Sequence, residues 1–189
     1  MPADTRDRLL DAGAELLRRQ GYSATGVKQI VDEARAPVAS LYHFFPGGKE
    51  QLGAEAICKS GAMYELLIPA IFDVAPDPVT GVRMFFAGAA EHLEQTGYED
   101  ACPIATVALE VSSRSEVMRQ ACEGVFQSWI SAGLARFPQV EARTARELTI
   151  AMLCALEGGF VLARAQRSTE PLLIAGELVA RAVEAALAD

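Results

Sequence analysis

Thr25–Leu52 reads TGVKQIVDEARAPVASLYHFFPGGKEQL, and the spacing within it decides the fold. Val27, Ile30, Val31 and Ala34 stand at i, i+3, i+4 and i+7, an apolar stripe on one face of a helix that the Thr25 hydroxyl is placed to cap. Arg35, Ala36 and Pro37 interrupt it, because proline has no N–H for the preceding turn but suits the first turn of a new helix. That second helix is expected at about Val38–Phe44. Leu41 and Phe45 are spaced to pack inward, which leaves the hydroxyl and imidazole groups of Ser40, Tyr42 and His43 to reach bases or phosphates. Two short helices joined by a tight break form a unit that can enter a DNA groove, with the second as the reading helix. Pro46–Leu52 then sets Gly47 and Gly48 beside Lys49 at another helix start, where freed backbone N–H groups and an ammonium are expected to form an anion site.

Working outward, Leu9, Gly13, Leu16 and Leu17 stripe a first helix over about Asp4–Gln20, with Gly21 as its C-cap, closing a three-helix unit. A helix starting near Gly48 is expected to run through Leu52, Ile57 and Tyr64 toward Pro69 and to link this unit to the body. Pro76 and Pro78 break the chain, a helix resumes at about Val79–Thr96, and Gly97 and Pro103 mark the next break. Helices continue to Phe137 and then at about Ala142–Arg167 and Pro171–Leu187. Helix formers dominate and period-2 runs are scarce, so the expected fold class is all-α. The expected domains are an N-terminal three-helix helix-turn-helix DNA-binding unit at 1–50 and a C-terminal helical ligand-binding and dimerisation domain at 51–189.

With 51% hydrophobic residues in 189, the chain is neither disordered nor too short for a sizeable core. The formal charge of −8 argues against nucleic acid until it is divided along the chain. Residues 1–50 carry seven basic and seven acidic side chains, so the whole deficit lies beyond them. A neutral head with a local basic edge can dock on DNA while an acidic body suppresses nonspecific adhesion, and a modest salt dependence follows. Cys58, Cys102, Cys122 and Cys154 are widely spaced and lack a C-x-x-C or Cys/His pattern. They read as reduced, buried thiols in a cytoplasmic protein, with a redox sensor as the alternative, and neither a metal nor a cofactor is expected. No N-terminal signal pattern is present, and the apolar runs are broken short of a bilayer span, so no membrane association is expected.

At T-x-V-x-x-I, S-L-Y-H-F-F and the lysine before E-x-L, the chain resembles the TetR family of transcriptional repressors. The PGGKEQL variant with Pro37, and the later segments CPIATVALEV, FQSWI and LEGGFVLARAQRS, resemble its LmrA/YxaF-like branch, so that the resemblance covers nearly the whole chain. It implies that Thr25, Pro37, Ser40, Tyr42, His43 and Lys49 sit at the DNA surface. Tyr42 and Lys49 would lie mainly on phosphates and the helix around Ser40 in the major groove. Lys28, Val38 and Ala39 complete the expected contact set. Two departures bear on base preference: Arg35 and Val38 stand where the family often has glycine and lysine, and Val38 suits apolar contact with a thymine methyl. Ala39 replaces a frequent glycine. Taken singly, Tyr42, His43 and Lys49 read more often as domain-edge or solvated residues, and the constellation is what points to DNA.

The central helices carry large, adaptable side chains: Met63, Leu67, Phe85, Phe86, Leu93, Met118, Cys122, Phe126 and Trp129. Spacing alone favours an ordinary packed core. The resemblance implies a small-molecule effector site instead, lined by Met63, Phe86, Cys122, Phe126 and Trp129, with His92 or Glu157 as polar handles for a flat or apolar molecule. On the last two helices Gly158, Gly159 and Ala163 permit close approach, either within one hairpin or in a four-helix seam with a second copy. A dimer is expected, since a two-half-site operator needs two reading heads. The implied function is a ligand-responsive repressor that binds a pseudo-palindromic double-stranded operator and is released by its effector. A helical enzyme finds little support, because two histidines and no nucleophile–base spacing or phosphate-binding glycine pattern are present. A helical interaction module that never touches DNA is the remaining alternative.

Overall fold

The computed structural model describes residues 4–100 and 102–188, and among them there are ten helices and no strand. They are α1 (Thr5–Ala24), α2 (Val27–Glu33), α3 (Val38–Phe44), α4 (Gly48–Glu65), α5 (Leu67–Phe72), α6 (Pro78–Gln95), α7 (Pro103–Val111), α8 (Glu116–Leu134), α9 (Ala142–Gln166) and α10 (Glu170–Ala188). Two compact units emerge: Met1–Met63 with Cys102–Phe126, and Tyr64–Ala101 with Gln127–Asp189. The first therefore reaches beyond residue 50 to include most of α4, together with α7 and the start of α8.

Local chemistry sets most boundaries. The Asp4 carboxylate accepts from the Thr5 amide at the start of α1. Asp77 accepts from the Thr80 amide and hydroxyl, both at 2.8 Å, and Pro78 occupies the first turn of α6. Gly21, expected as a C-cap, stands at φ 75° and kinks α1, after which the chain winds on to Ala24. The Thr25 hydroxyl does not cap α2. It donates to the Gly21 carbonyl at 2.7 Å from a site 1% exposed, and Gly26 is the N-cap, its amide donating to the Gln29 side chain. The linking helix ends at Glu65 rather than near Pro69, which instead falls in the first turn of α5, where proline is tolerated.

In the first unit Leu9, Leu17, Ile30, Leu41, Phe45, Leu52 and Ile57 are fully buried. Close approach there depends on small residues: a Cβ on Gly13 would lie 2.4 Å from the Leu52 side chain, and one on Gly61 2.5 Å from Val125. The second unit is built on α6, α9 and α10, whose core includes Val82, Phe86, Leu93, Leu148, Met152, Leu172 and Val183. Gly176 admits the Phe86 ring and Gly159 admits Leu172, so Gly159 and the fully buried Ala163 serve the packing of this chain on itself. Gly158 faces open space.

By length and composition α9 is apolar enough to cross a membrane, contrary to the expectation of broken apolar runs. The reason is that it is apolar on two sides. Leu148, Met152 and Ala163 enter the core, while Ile150, Val161 and Leu162 stay exposed.

Candidate nucleic-acid interface

Seven residues make α3, and its two faces differ sharply. Leu41 and Phe45 are fully buried and anchor it. Pro37, Val38, Ala39, Tyr42 and His43 are exposed in a row on the outside, and Ser40 is half-buried with its amide donating to the Pro37 carbonyl at 3.0 Å. Tyr42 rests its ring edge over Gly48, where a Cβ would lie 3.3 Å from the ring and where φ is 65°. Glycine thus supports the tyrosine in a conformation other residues adopt with strain. The His43 ring meets Phe44 edge-on at 4.9 Å.

Other residues expected at the DNA surface are engaged within the protein. Thr25 is buried in the α1–α2 corner. Lys49 is half-buried; its Nζ donates to the Tyr22 carbonyl at 2.7 Å and lies 4.0 Å from the centre of the Tyr22 ring. Burial lowers the Lys49 pKa, against a smaller opposing pull from Glu110, and burial raises that of Tyr22. The expected anion site is closed in this conformation. The Gly47 amide donates to the Gln51 side chain at 2.9 Å and the Gly48 amide to the Phe45 carbonyl at 2.7 Å. Lys28 stays exposed, paired with Asp32 one turn on. Arg35 sits at φ 49°, so the turn adopts a glycine-like backbone with an arginine in it.

Several residues that organise this surface were not singled out by sequence. Arg8 donates to the Ala34 carbonyl at 3.1 Å and so closes the C-terminal end of α2. Arg6 pairs with Glu55 and lies over the Phe45 ring. Gln20 reaches the Ala24 carbonyl, the Thr25 hydroxyl and the Gln29 side chain. Gln29 alone left a legible signal, a glutamine at the third position of a helix. Most cations of the head are thereby paired internally, and the expected basic edge narrows to Arg35 and to Lys28, whose charge is shared with Asp32.

The expected effector residues are divided between the two units. Met63, Cys122 and Phe126 fall in the first unit, Phe86 and Trp129 in the second. Met63 is 65% exposed and Phe86 is core. Trp129 is buried and meets Tyr64 edge-on at 6.5 Å. His92 is exposed, 3.8 Å from Asp100, rather than lining an interior. Of the thiols expected to be buried, Cys58 and Cys154 are exposed, while burial raises Cys122 to about 11. No group of three or more His, Cys, Asp or Glu able to hold a metal occurs among the described residues.

Residues 9–56, which include α2 and α3, match the model of bacterial regulatory proteins of the tetR family, and residues 78–178 match the C-terminal domain of LmrA/YxaF-like transcriptional regulators. The chain belongs to the TetR family of transcriptional regulators, in its LmrA/YxaF-like branch, and its fold and relatives are those of regulators rather than enzymes. It is 37% identical to the HTH-type transcriptional regulator YxaF of Bacillus subtilis (strain 168) over 93% of each chain. It is 33% identical to LmrA of the same organism, covering 90% of this chain and 92% of LmrA. Among solved structures, a regulatory protein TetR from Rhodobacter sphaeroides superposes with a TM-score of 0.80 at 26% identity, covering 93% of this chain and 97% of that one.

Proposed function

We propose that this regulator is a cytoplasmic homodimeric repressor whose two heads, residues 1–50, read adjacent major-groove half-sites of a pseudo-palindromic operator. The observation that carries this reading is the outer face of α3, where Pro37, Val38, Ala39, Tyr42 and His43 stand exposed on a helix anchored by the buried Leu41 and Phe45. Val38 and Ala39 offer small apolar surface to a thymine methyl, and the Tyr42 hydroxyl offers a hydrogen bond to a phosphate oxygen. Lys28, Ser40 and His43 complete the polar contacts.

Dimerisation is supported by the uncovered aliphatic stripe on α9 and α10. Ile150, Val161 and Leu162 on the first, and Leu173, Ile174 and Leu178 on the second, are all exposed. An isologous four-helix seam covers such a stripe with its own copy.

Release is assigned to a small apolar or aromatic effector bound by residues 51–189. From the expected lining, Trp129 with its neighbour Tyr64 is kept. An effector drives release only through a higher affinity for the form that does not hold DNA. Selection of duplexes from a randomised pool by the purified protein is expected to yield an inverted repeat bound by one or more dimers. Trp129, the single tryptophan of the chain, then reports effector binding by fluorescence. Enrichment of no sequence overturns the reading.

A further inference from the structure

The corner where α1 turns into α2 is held from outside the head by one carboxylate. Glu110, on α7, accepts the Ser23 amide at 2.8 Å through Oε2. Its Oε1 lies against Gly21, only 2.1 Å from where a Cβ would stand. From Gly21 the hydrogen bonds run inward: its carbonyl accepts the Thr25 hydroxyl, Thr25 accepts Gln20, and Gln20 reaches Gln29, which holds the Gly26 amide at the start of α2. A carboxylate at the C-terminal end of a helix opposes that helix's own dipole, so the position of Glu110 does nothing for α7. Its favourable contacts are across the gap, on the corner.

We propose that Glu110 is a positioning residue for DNA reading: its carboxylate fixes the α1–α2 corner and thereby the pose in which α2 carries α3. This rests on the DNA-binding function above but touches neither DNA nor effector. A seven-residue α2 cannot hold its own direction. Its start is set by the Gly21–Gly26 corner, and Glu110 supplies the contact that ties this corner to α7.

The full chain is compared with Glu110→Ala and Glu110→Gln by two readouts, well below the melting temperature of each. Amide hydrogen exchange needs no DNA. Residues 20–45 of Glu110→Ala are expected to exchange about tenfold faster, the effect of losing one hydrogen bond to a charged group, while α6, α9 and α10 are unchanged. Affinity for the duplex selected by the wild-type protein is expected to fall by about tenfold. Glu110→Gln keeps an acceptor for the Ser23 amide and is expected to return both readouts to within about twofold of wild type. In a double-mutant cycle, Gly21→Ala is expected to cost less beside Glu110→Ala than alone, because the carboxylate it would strike is gone. Wild-type exchange and affinity in Glu110→Ala, or Glu110→Gln as impaired as Glu110→Ala, would overturn the assignment. Failure of the wild-type chain to select any duplex sinks the operator-binding function instead, and the exchange measurement still decides the role of Glu110.

Discussion

In the first compact unit α2 and α3 are 7 residues each, whereas in the second α6, α9 and α10 run to 18, 25 and 19. The long helices are held by aliphatic and aromatic burial around Phe86, Met152 and Leu172. Helices as short as α2 and α3 bury few side chains and do not persist alone. Polar hooks around them add direction to the anchoring by Leu41 and Phe45: Arg8 on the Ala34 carbonyl at the end of α2, and, at the corner that precedes α2, Lys49 on the Tyr22 carbonyl, Thr25 on that of Gly21, and Glu110 on the Ser23 amide. The contrast teaches that the surface proposed to read DNA is anchored by a few buried side chains such as Leu41 and Phe45 and oriented by directional bonds added to them, whereas a more extensive apolar core positions the body. Polar substitutions should therefore disturb the head more than the body.

The largest effect is expected in the body. Phe86→Ala removes a fully buried ring and is expected to cost about 3–5 kcal/mol by urea denaturation; a cost below about 1 kcal/mol would erase the contrast. Lys49→Ala, in the head, loses a carbonyl hydrogen bond and a ring contact, with an expected cost of about 1–3 kcal/mol. Because the ammonium is engaged with Tyr22, the slope of log Kd against log salt should stay as it is. A slope shallower by about one would put Lys49 on a phosphate.

Tyr42→Phe makes the opposite case. It should leave thermal stability unchanged and weaken operator binding by about 1 kcal/mol, as a lost phosphate hydrogen bond would. Unchanged affinity would remove Tyr42 from the interface. Arg35→Gly relieves a left-handed backbone and is expected to stabilise the head by about 1 kcal/mol, read from the melting curve.

The smallest effect concerns acid. Arg83 and then Arg181 hold the Glu177 carboxyl down to about 2 from its usual 4.5. Because the folded-state value is depressed, this contribution is complete above pH 4.5 and is lost as pH falls toward 2. Glu177→Gln should lower stability by a constant amount above pH 4.5, with the difference from wild type shrinking away as pH falls toward 2; a difference that persists undiminished at pH 2 would contradict it.

How much of this was legible follows the same division. The apolar spacing of Val27 to Ala34 and of Leu41 to Phe45, with Pro37 between, located α2 and α3 to within a residue or two, because the inward stripe repeats at the helical period. The outward row on α3 followed from it. Long-range polar hooks were not legible: nothing marks Ser23 and Glu110, separated by 87 positions, as a pair. Lys49 and Thr25 were read as surface groups because a lysine or threonine at a helix start looks the same whether it faces a phosphate or a neighbouring carbonyl. Phe86 and Met63 were grouped with Trp129 by size and apolarity, which do not separate core from surface from cavity. The α9 stripe was read as one seam of small residues, whereas Gly159 meets Leu172 and Gly158, adjacent in sequence, faces open space.

The most direct test of the central claim is parallel selection from a randomised duplex pool by the wild-type protein and by Val38→Ser, at near-physiological salt. Both are expected to recover an inverted repeat of the same half-site spacing, with the variant relaxed at one symmetry-related base pair in each half. Recovery of no repeat by the wild-type chain, or an identical base preference in both, would contradict the assignment of α3 as the reading helix.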